Sequence, residues 1–261
     1  MKNLRKYGRP PFSVAVIHGG PGAAGEMAPV AQELSRHLGI LEPLQTMTTI
    51  DGQIQELADI IDHHAGPPLT LIGHSWGAWL AMMFTVRCPS VVKKIILVGS
   101  GPFEEKYVPQ ITKTRMSRMN DEEKETLETL VATLNDPNGK QKDAIFGRVG
   151  SMMIHTDSYE PLDNIETTTH VQYKIFHHVW KEADELRRSG ALLDICRHLH
   201  CPVVAMHGDY DPHPSEGVKE PLSKILKEFT FILLKNCGHY PWIERIAKER
   251  FYAVLKKELL P

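Results

Sequence analysis

The sequence predicts an α/β fold: a mostly parallel sheet flanked by helices, with a helical cap inserted near the middle of the chain. Three observations support this prediction. Short apolar runs alternate with segments of helical periodicity up to about residue 101. The alternation then stops, and no convincing buried strand occurs in residues 102–193. It resumes at residue 202, which indicates one core interrupted by one insertion.

The predicted strands are short and apolar. They comprise residues 12–17, 40–44, 69–72, 95–98, 202–206 and 229–234. Helical periodicity predicts helices at residues 27–38, 78–86, 216–226 and 243–259. Asp51 is predicted to cap one more helix, whose apolar positions include Ile54 and Ile61.

The insertion defines the expected domains. We expect residues 1–101 and 194–261 to form the core, and residues 102–193 to form a helical cap. Within the cap, Asn120 and Glu123 have the spacing of a capping pair at the start of a helix. The apolar face predicted for that helix consists of Leu127, Leu130, Val131 and Leu134. Three threonines, residues 167–169, precede a second helical stretch through Val171, Ile175 and Val179.

The bulk composition excludes several classes of partner. A formal net charge of -2 over 261 residues gives no reason to expect binding to nucleic acid or to an anionic membrane surface. No apolar run reaches the roughly 20 residues that span a bilayer, and the basic N-terminus lacks the apolar stretch of a signal peptide. The four cysteines show no CxxC pairing. We therefore expect a reduced, cytoplasmic protein, whose oligomeric state the composition leaves open.

The most informative segment is Gly73-His-Ser75-Trp-Gly77, which follows an apolar strand and precedes a helical run. This G-x-S-x-G pattern between a strand and a helix is typical of a nucleophile elbow. The sharp turn needs small flanking residues and lifts the serine hydroxyl onto the positive end of the next helix. A glycine-rich turn with a capping serine is the alternative. The flanking strand and helix favour the elbow, so Ser75 is the predicted nucleophile.

A serine nucleophile needs a base that is itself oriented by an acid, and candidates for both follow later strands. Asp209 and Asp211 come after one predicted strand, and His239 comes after the next. The order of serine, acid and histidine is the one that this kind of elbow predicts. We predict His239 as the base and Asp211 as the acid, because Pro212 stiffens a turn back toward the histidine. Asp209 is predicted to bind N–H groups of its own loop.

Acyl transfer also needs two backbone N–H groups directed at the developing oxyanion. The N–H of Trp76, directly after the serine, is one predicted donor. The N–H of Gly20 is the other, because His18-Gly-Gly-Pro-Gly22 ends the first predicted strand. The glycines of this loop let the backbone come close to a substrate.

The same loop contains Gly20-Pro-Gly22-Ala-Ala-Gly25, which matches the dinucleotide fingerprint G-x-G-x-x-G. Glu42 lies near the position of the ribose-binding acid, so a nucleotide-binding oxidoreductase is the alternative from another class. However, Pro21 removes an N–H from the loop that would hold pyrophosphate. This alternative also leaves Ser75 and His239 unexplained, and no cofactor is predicted.

These residues resemble the α/β-hydrolase superfamily, and within it the prolyl-iminopeptidase-like branch. The resemblance covers most of the chain and depends on His18-Gly-Gly-Pro-Gly22, Gly73-His-Ser-Trp-Gly77, Asp211 and Cys237-Gly-His239. It implies a nucleophile, acid and base at Ser75, Asp211 and His239, with oxyanion donors at Gly20 and Trp76. It also implies a small-molecule or short peptide substrate with a free amino terminus, which cap carboxylates would hold.

Three features depart from that branch. About eleven residues precede the first predicted strand, where relatives usually have an extra strand pair. His74 stands where iminopeptidases more often have glycine, and Asp209 stands where they often have arginine. The elbow Gly-His-Ser-x-Gly is also common in carboxylesterases and in hydrolases that cleave carbon–carbon bonds. These activities are alternatives to the peptidase, as is a hydrolase-fold protein that only binds a ligand.

Two further groups of residues carry side chains that can bind ligands. Six cap carboxylates could bind a substrate amine, although a solvated surface position is the simpler interpretation of each: Glu104, Glu105, Asp157, Glu160, Asp163 and Glu166. The second group is Cys196, His198, His200 and Cys201. Its spacing is not that of a closed zinc site, so no metal site is predicted.

Overall fold

The computed structural model describes residues 3–163 and 170–260 and contains a seven-stranded sheet. The strands along the chain are β1 (Leu4–Tyr7), β2 (Phe12–Ile17), β3 (Ala23–Ala24), β4 (Gly39–Pro43), β5 (Leu69–His74), β6 (Val92–Val98), β7 (His170–Val171), β8 (Val203–Gly208) and β9 (Phe229–Leu234). The sheet order is β1-β4-β2-β5-β6-β8-β9, and β3 pairs with β7 separately. Only β1 is antiparallel to its neighbour in the sheet. This confirms the predicted α/β fold.

Helices fill most of the chain between these strands. Those of the described residues are α1 (Ala28–Leu34), α2 (Ile50–His64), α3 (Trp76–Arg87), α4 (Val108–Arg118), α5 (Asp121–Asn135), α6 (Lys142–Asp157), α7 (Tyr173–Arg188), α8 (Ala191–Cys196), α9 (Glu216–Ile225) and α10 (Lys248–Leu259). Short 3₁₀ turns occur at Glu105–Tyr107 and Pro241–Ile243. None of the helices in the described part of the chain is long and apolar enough to cross a bilayer.

Helices cover both faces of the sheet and build one apolar layer on each. In β6, Ile95 faces the layer that contains α2 and α3, whereas Ile96 faces the layer that contains α1 and α10. Phe84 of α3 and Phe251 of α10 are among the largest fully buried side chains. Truncating such a buried Phe to Ala costs roughly 3–5 kcal/mol, so both layers hold the strand ends firmly in place.

Helices α4 to α7 occur where the helical insertion is predicted, between β6 and β8. Helix α7 joins the layer of α3, and the rings of Trp180 and Trp79 stack with their centroids 6.0 Å apart. The β3–β7 pair is a second link between insertion and core. Residues 167–169, the predicted helix start, lie outside the described residues; Val171 is in β7, and α7 begins at Tyr173. The division into domains at residues 101 and 194 stays a prediction.

The structure corrects the prediction at two helix starts and at the N-terminus. Strand β1 precedes the predicted first strand. The sequence pattern does not predict it, because it is a half-exposed edge strand with two basic residues. Asp51 is not the cap of α2: the side chain of Thr49 accepts a hydrogen bond from the N–H of Gly52 at 3.1 Å. Helix α10 begins at Lys248 rather than at residue 243, because Pro241–Ile243 forms a 3₁₀ turn.

Candidate active site

Ser75 lies between β5 and α3 with a backbone φ of 50° and ψ of −113°, a conformation that costs an L-residue energy. Glycine is required on both sides of it. A Cβ at Gly73 would meet the carbonyl of Gly77, and a Cβ at Gly77 would meet the carbonyl of Ile17 in β2. The turn can therefore close only because both positions are glycine. It holds Ser75 at the first turn of α3, where the helix dipole favours negative charge.

His239 and Asp211 form a buried hydrogen-bonded pair beyond the ends of β9 and β8. Nδ1 of His239 lies 2.7 Å from Oδ2 of Asp211, and the two side chains are 4% and 0% exposed. A carboxylate accepts the proton of Nδ1, which leaves the lone pair of Nε2 free in the neutral imidazole. His239 and Ser75 line the same cavity. The fold thus brings the three predicted residues to one site.

Asp211 is surrounded by three histidines. Its Oδ1 accepts hydrogen bonds from the backbone N–H of His213 at 2.9 Å and from Nδ1 of the same residue at 2.8 Å. Nε2 of His207 lies 3.5 Å from Oδ2. Burial alone would raise the pKa of Asp211, but the imidazoles of His239, His213 and His207 outweigh it and hold that pKa well below its ordinary value. Asp211 is therefore an anion at neutral pH.

Asp209, the other candidate acid, contacts different groups. Its Oδ1 accepts a hydrogen bond from the N–H of Cys237 at 3.3 Å, and its Oδ2 lies 3.5 Å from Nζ of Lys235. Asp209 thus ties the loop after β8 to the loop after β9. The contact with the imidazole of His239 belongs to Asp211.

The two predicted oxyanion donors line the cavity together with Ser75. Trp76 is the first residue of α3, so its N–H has no partner within the helix. Gly20 lies in the loop after β2 with a φ of 31°, a backbone conformation that favours glycine. The two N–H groups thus belong to the start of α3 and to the loop that follows β2.

A partly buried contact between Glu26 and His74, which the sequence pattern does not reveal, connects three loops of the site. Oε2 of Glu26 accepts the N–H of Gly19 at 2.7 Å and lies 3.0 Å from Nδ1 of His74. Nε2 of His74 lies 3.0 Å from the carbonyl oxygen of His239. Burial alone would raise the pKa of Glu26, but His74 and the N–H of Gly19 outweigh it and lower that pKa. The loop after β2, the elbow and the loop after β9 are thereby held together.

A cavity of about 920 Å³ lies over Ser75 and is lined by the core and by helices of the insertion. Its cap-side lining is largely apolar and includes Ile111, Leu127, Phe146, Ile154, Phe176 and Trp180. The predicted apolar face of α5 is divided between two environments. Leu130 and Leu134 are buried, whereas Leu127 and Val131 line the cavity.

Both acidic residues of the described cavity lining, and the amine-binding candidates within the described residues, already have partners. Glu26 and Asp184 are the acidic residues among the described cavity lining. Asp184 pairs with Arg187 and Arg188. The predicted amine-binding candidates pair as follows: Glu104 with Lys106, Glu105 with Arg187, Asp157 with Arg115, and both Glu160 and Asp163 with Arg245. Glu166 lies outside the described residues.

The dinucleotide-like stretch is built differently from a nucleotide-binding loop. It contains β3 (Ala23–Ala24), and α1 begins only at Ala28. Glu42, the possible ribose-binding acid, is fully buried. The hydroxyl of Tyr7 donates to Glu42 at 2.7 Å, and Arg5 lies 3.6 Å from it. Glu42 therefore binds residues of β1 at the β1–β4 edge. The oxidoreductase alternative is left without its ribose-binding acid.

The four residues of the cysteine and histidine group near residue 200 lie in different environments: Cys196 is buried, Cys201 is half-buried, and His198 and His200 are exposed. Cys196 is fully buried, with its Sγ 3.9 Å from Sδ of Met82. Burial raises the pKa of its thiol, which disfavours the thiolate that zinc requires.

A family model described as the alpha/beta hydrolase family matches residues 14–249. Several solved structures share the fold at low sequence identity. A carboxylesterase from the ammonia-oxidizing thaumarchaeon Nitrososphaera gargenis is 19% identical, with a TM-score of 0.66 over 98% of this chain and 93% of that one. A proline iminopeptidase from Mycobacterium smegmatis is 16% identical, with a TM-score of 0.62 over 98% and 93%.

The 2-hydroxy-6-oxo-6-phenylhexa-2,4-dienoate hydrolase from Rhodococcus sp. strain RHA1 is 18% identical, with a TM-score of 0.62 over 96% of this chain and 91% of that one. A comparison with curated proteins finds no match. At these identities the neighbours agree on the fold, while their activities differ from one another.

Proposed function

Because the chain belongs to the alpha/beta hydrolase family, we propose that it is a serine hydrolase that acts on small neutral carboxylic esters through an acyl-enzyme. The observation that supports the serine mechanism is the strained elbow at Ser75, which shares a cavity with His239, whose Nδ1 is held by Asp211. The proposal extends to a reducing compartment, the cytoplasm, since all four cysteines are free thiols.

In the proposed reaction, Oγ of Ser75 attacks the ester carbonyl carbon while Nε2 of His239 accepts the hydroxyl proton. The N–H groups of Gly20 and Trp76 stabilise the tetrahedral oxyanion. The imidazolium then gives its proton to the departing alcohol, and the acyl group stays on Ser75. Water, deprotonated by His239 as it attacks, releases the carboxylic acid and restores the serine. Asp211 orients the imidazole and stabilises its charged form in both steps.

The paired carboxylates favour an ester over a peptide with a free amino terminus. A substrate ammonium group in a closed pocket needs an available carboxylate, because an unpaired buried charge is costly. Glu26 and Asp184 are already engaged with His74 and with two arginines. The largely apolar remainder of the cavity suits an uncharged acyl or alcohol group.

A proline iminopeptidase activity is the second candidate. It is favoured by the His18-Gly-Gly-Pro-Gly22 loop and by the likeness to the iminopeptidase structure. Cleavage of a carbon–carbon bond is compatible with the same nucleophile and base, as the dienoate hydrolase among the structural neighbours illustrates.

The test is a comparison of matched substrates. We expect turnover of 4-nitrophenyl esters from acetate to octanoate, and equal kcat/KM for free and N-acetylated forms of an alanyl or prolyl arylamide. A clear preference for the free arylamide would establish the aminopeptidase instead. Fluorophosphonate labelling is expected in the wild type and absent in Ser75→Ala. A wild type that neither labels nor turns over any substrate would identify a protein that only binds a ligand.

A further inference from the structure

Asp211 binds a second imidazole that the proposed mechanism does not use. Nδ1 of His213 lies 2.8 Å from Oδ1 of Asp211, while Nδ1 of His239 lies 2.7 Å from Oδ2. The two rings stack with centroids 4.4 Å apart and planes inclined by 29°. Both side chains are largely buried, with 12% of His213 and 4% of His239 exposed. One carboxylate therefore holds two imidazoles side by side, each on its own oxygen.

The local sequence and the backbone contacts fix the position of the second ring. His213 lies between Pro212 and Pro214, whose rings fix their own φ and restrict the conformation of the residue before each of them. The carbonyl oxygen of His213 lies 2.8 Å from Nε2 of His207, a buried residue of β8. The N–H of His213 donates to Oδ1 of Asp211 at 2.9 Å. His213 is thus attached to the acid and to the end of β8 by its backbone as well as by its ring.

The negative charge of Asp211 is available to both rings. A neutral His213 donates its Nδ1 proton to Asp211 and leaves the negative charge to stabilise an imidazolium at His239. A protonated His213 places a positive charge on the same carboxylate and beside His239, where like charges disfavour one another. The two rings therefore compete for one anion, and protonation of one makes protonation of the other harder.

From this geometry we infer that His213 is a positioning residue for the proposed base. Through Nδ1 it holds Asp211 against His239, and through its charge state it sets how readily His239 accepts the proton of Ser75. The inference rests on the proposed function, in which His239 accepts and returns a proton in each of the two steps. The most active form has both rings neutral, so the rate should be lost as either ring takes up a proton.

Other titratable or charged groups of the described residues surround this pair, and the variants of the test leave all of them in place. A difference between the wild type and a His213 variant therefore reports on His213 itself. The surrounding groups are His207, 3.5 Å from Asp211; His74, with its partner Glu26, and Tyr240 beside the ring of His239; and Arg115 and Arg118 of α4 with Asp157 of α6.

The first test separates the hydrogen bond of His213 from its charge. His213→Asn keeps an N–H donor near the position of Nδ1 but cannot take up a proton, whereas His213→Ala loses both properties. For a 4-nitrophenyl ester at about pH 8, where imidazoles are ordinarily neutral, we expect kcat to fall by roughly tenfold to a hundredfold in His213→Ala, the effect of one hydrogen bond to a charged group. In His213→Asn the expected loss is less than about twofold, because the donor is restored. A wild-type kcat in His213→Ala, or an equal loss in both variants, would overturn the positioning role.

The second test follows the charge through the pH dependence of the reaction. Between about pH 5 and pH 8, where imidazoles ordinarily titrate, we expect the acid limb of kcat/KM to require two ionisations in the wild type and one in His213→Asn. The matched control is His37→Asn, which removes an exposed histidine and should keep the wild-type profile. Profiles of the same shape and midpoint in the wild type and in His213→Asn would overturn the coupling of the two rings.

The titration of the His239 ring by NMR is a readout that does not depend on turnover. The histidines are isotope-labelled, and the signal of His239 is assigned through its absence in His239→Asn. We expect the midpoint of His239 to rise by roughly half a pH unit or more in His213→Asn, because a neighbouring positive charge no longer opposes its protonation. An unchanged midpoint would overturn the inference. If the wild type proves inactive, the proposed function fails, while a shifted midpoint still establishes that the two rings share Asp211.

Discussion

At the scale of single residues, the site depends on two carboxylates with similar contacts, the buried Asp211 and the half-buried Glu26. Asp211 binds the imidazole of His239 together with a backbone N–H, and Glu26 binds the imidazole of His74 together with the N–H of Gly19. In both cases the histidines outweigh the effect of burial and lower the carboxylate pKa. Each carboxylate therefore orients a ring and fixes a loop at the same time. These contacts fix the loops that follow the strands in the positions that catalysis needs.

Replacing Asp211 by Asn should reduce kcat of ester hydrolysis by about 10⁴-fold, because His239 loses both its correct tautomer and the stabilisation of its charged form. Asp209→Asn is the matched control, since Asp209 contacts Cys237 and Lys235 instead of the base. Its kcat should fall by less than roughly tenfold. Steady-state kinetics on one ester measures both variants, and the opposite ranking would identify Asp209 as the acid.

Glu26→Gln tests whether the Glu26–His74 contact positions the catalytic loops. The variant keeps the shape of the side chain but removes the charge that holds His74 and Gly19, so we expect kcat/KM to fall by up to about 10²-fold. The pH midpoint of kcat/KM should also move, because His74 lies beside His239 with ring centroids 4.7 Å apart.

The control for that variant is Glu33→Gln, which breaks a surface pair with Lys256 and should leave kinetics unchanged. A Glu26→Gln protein that is less stable but keeps the wild-type pH profile and kcat/KM would show that the contact is structural only.

At the scale of elements, local composition determines how much the sequence reveals. Strand β9 coincides with its predicted span because it is an apolar run between polar loops, although it is an edge strand in which only Leu234 is buried. Strand β1 and helix α6 escaped prediction: two of the four residues of the first are basic, and glycines at 147 and 150 interrupt the second. Their structure depends on partners far away in the chain. The same limit applies to the site, since no local pattern connects Glu26 to a histidine 48 positions away.

The predicted capping pair at the start of α5 forms both of its reciprocal hydrogen bonds, and its contribution to stability can be measured. The side chain of Asn120 accepts the N–H of Glu123 at 2.9 Å, and the carboxylate of Glu123 accepts the N–H of Asn120 at 2.8 Å. Asn120→Ala should lower the free energy of unfolding by about 1 kcal/mol. Glu122→Ala, at an exposed neighbouring position, is the control and should have little effect. In urea titrations, equal midpoints for these two variants would contradict a stabilising cap.

At the scale of the whole molecule, the sheet and the insertion contribute different parts of the site. The strand ends hold the proposed nucleophile, base and acid and the loop of the proposed oxyanion donor Gly20, so the proposed chemistry depends on elements buried in two apolar layers. Helices α4 to α7 supply most of the apolar lining of the cavity. The stack of Trp79 on Trp180 joins the two parts beside Ser75. We therefore expect substitutions in the insertion to change substrate preference more than the pathway of the reaction.

The lowered pKa values of Asp211 and Glu26 also make the stability of the whole protein depend on pH. A carboxylate with a depressed pKa in the folded state stabilises the fold above its unfolded pKa of about 4, and this contribution disappears as the pH falls through the folded value. The free energy of unfolding should therefore drop more steeply between about pH 5 and pH 3 in the wild type than in Glu26→Gln/Asp211→Asn. Urea unfolding followed by tryptophan fluorescence at each pH measures both slopes. Parallel curves would mean that these carboxylates are protonated alike in the folded and unfolded chains, and the histidines around them would then not hold the charge that the mechanism requires.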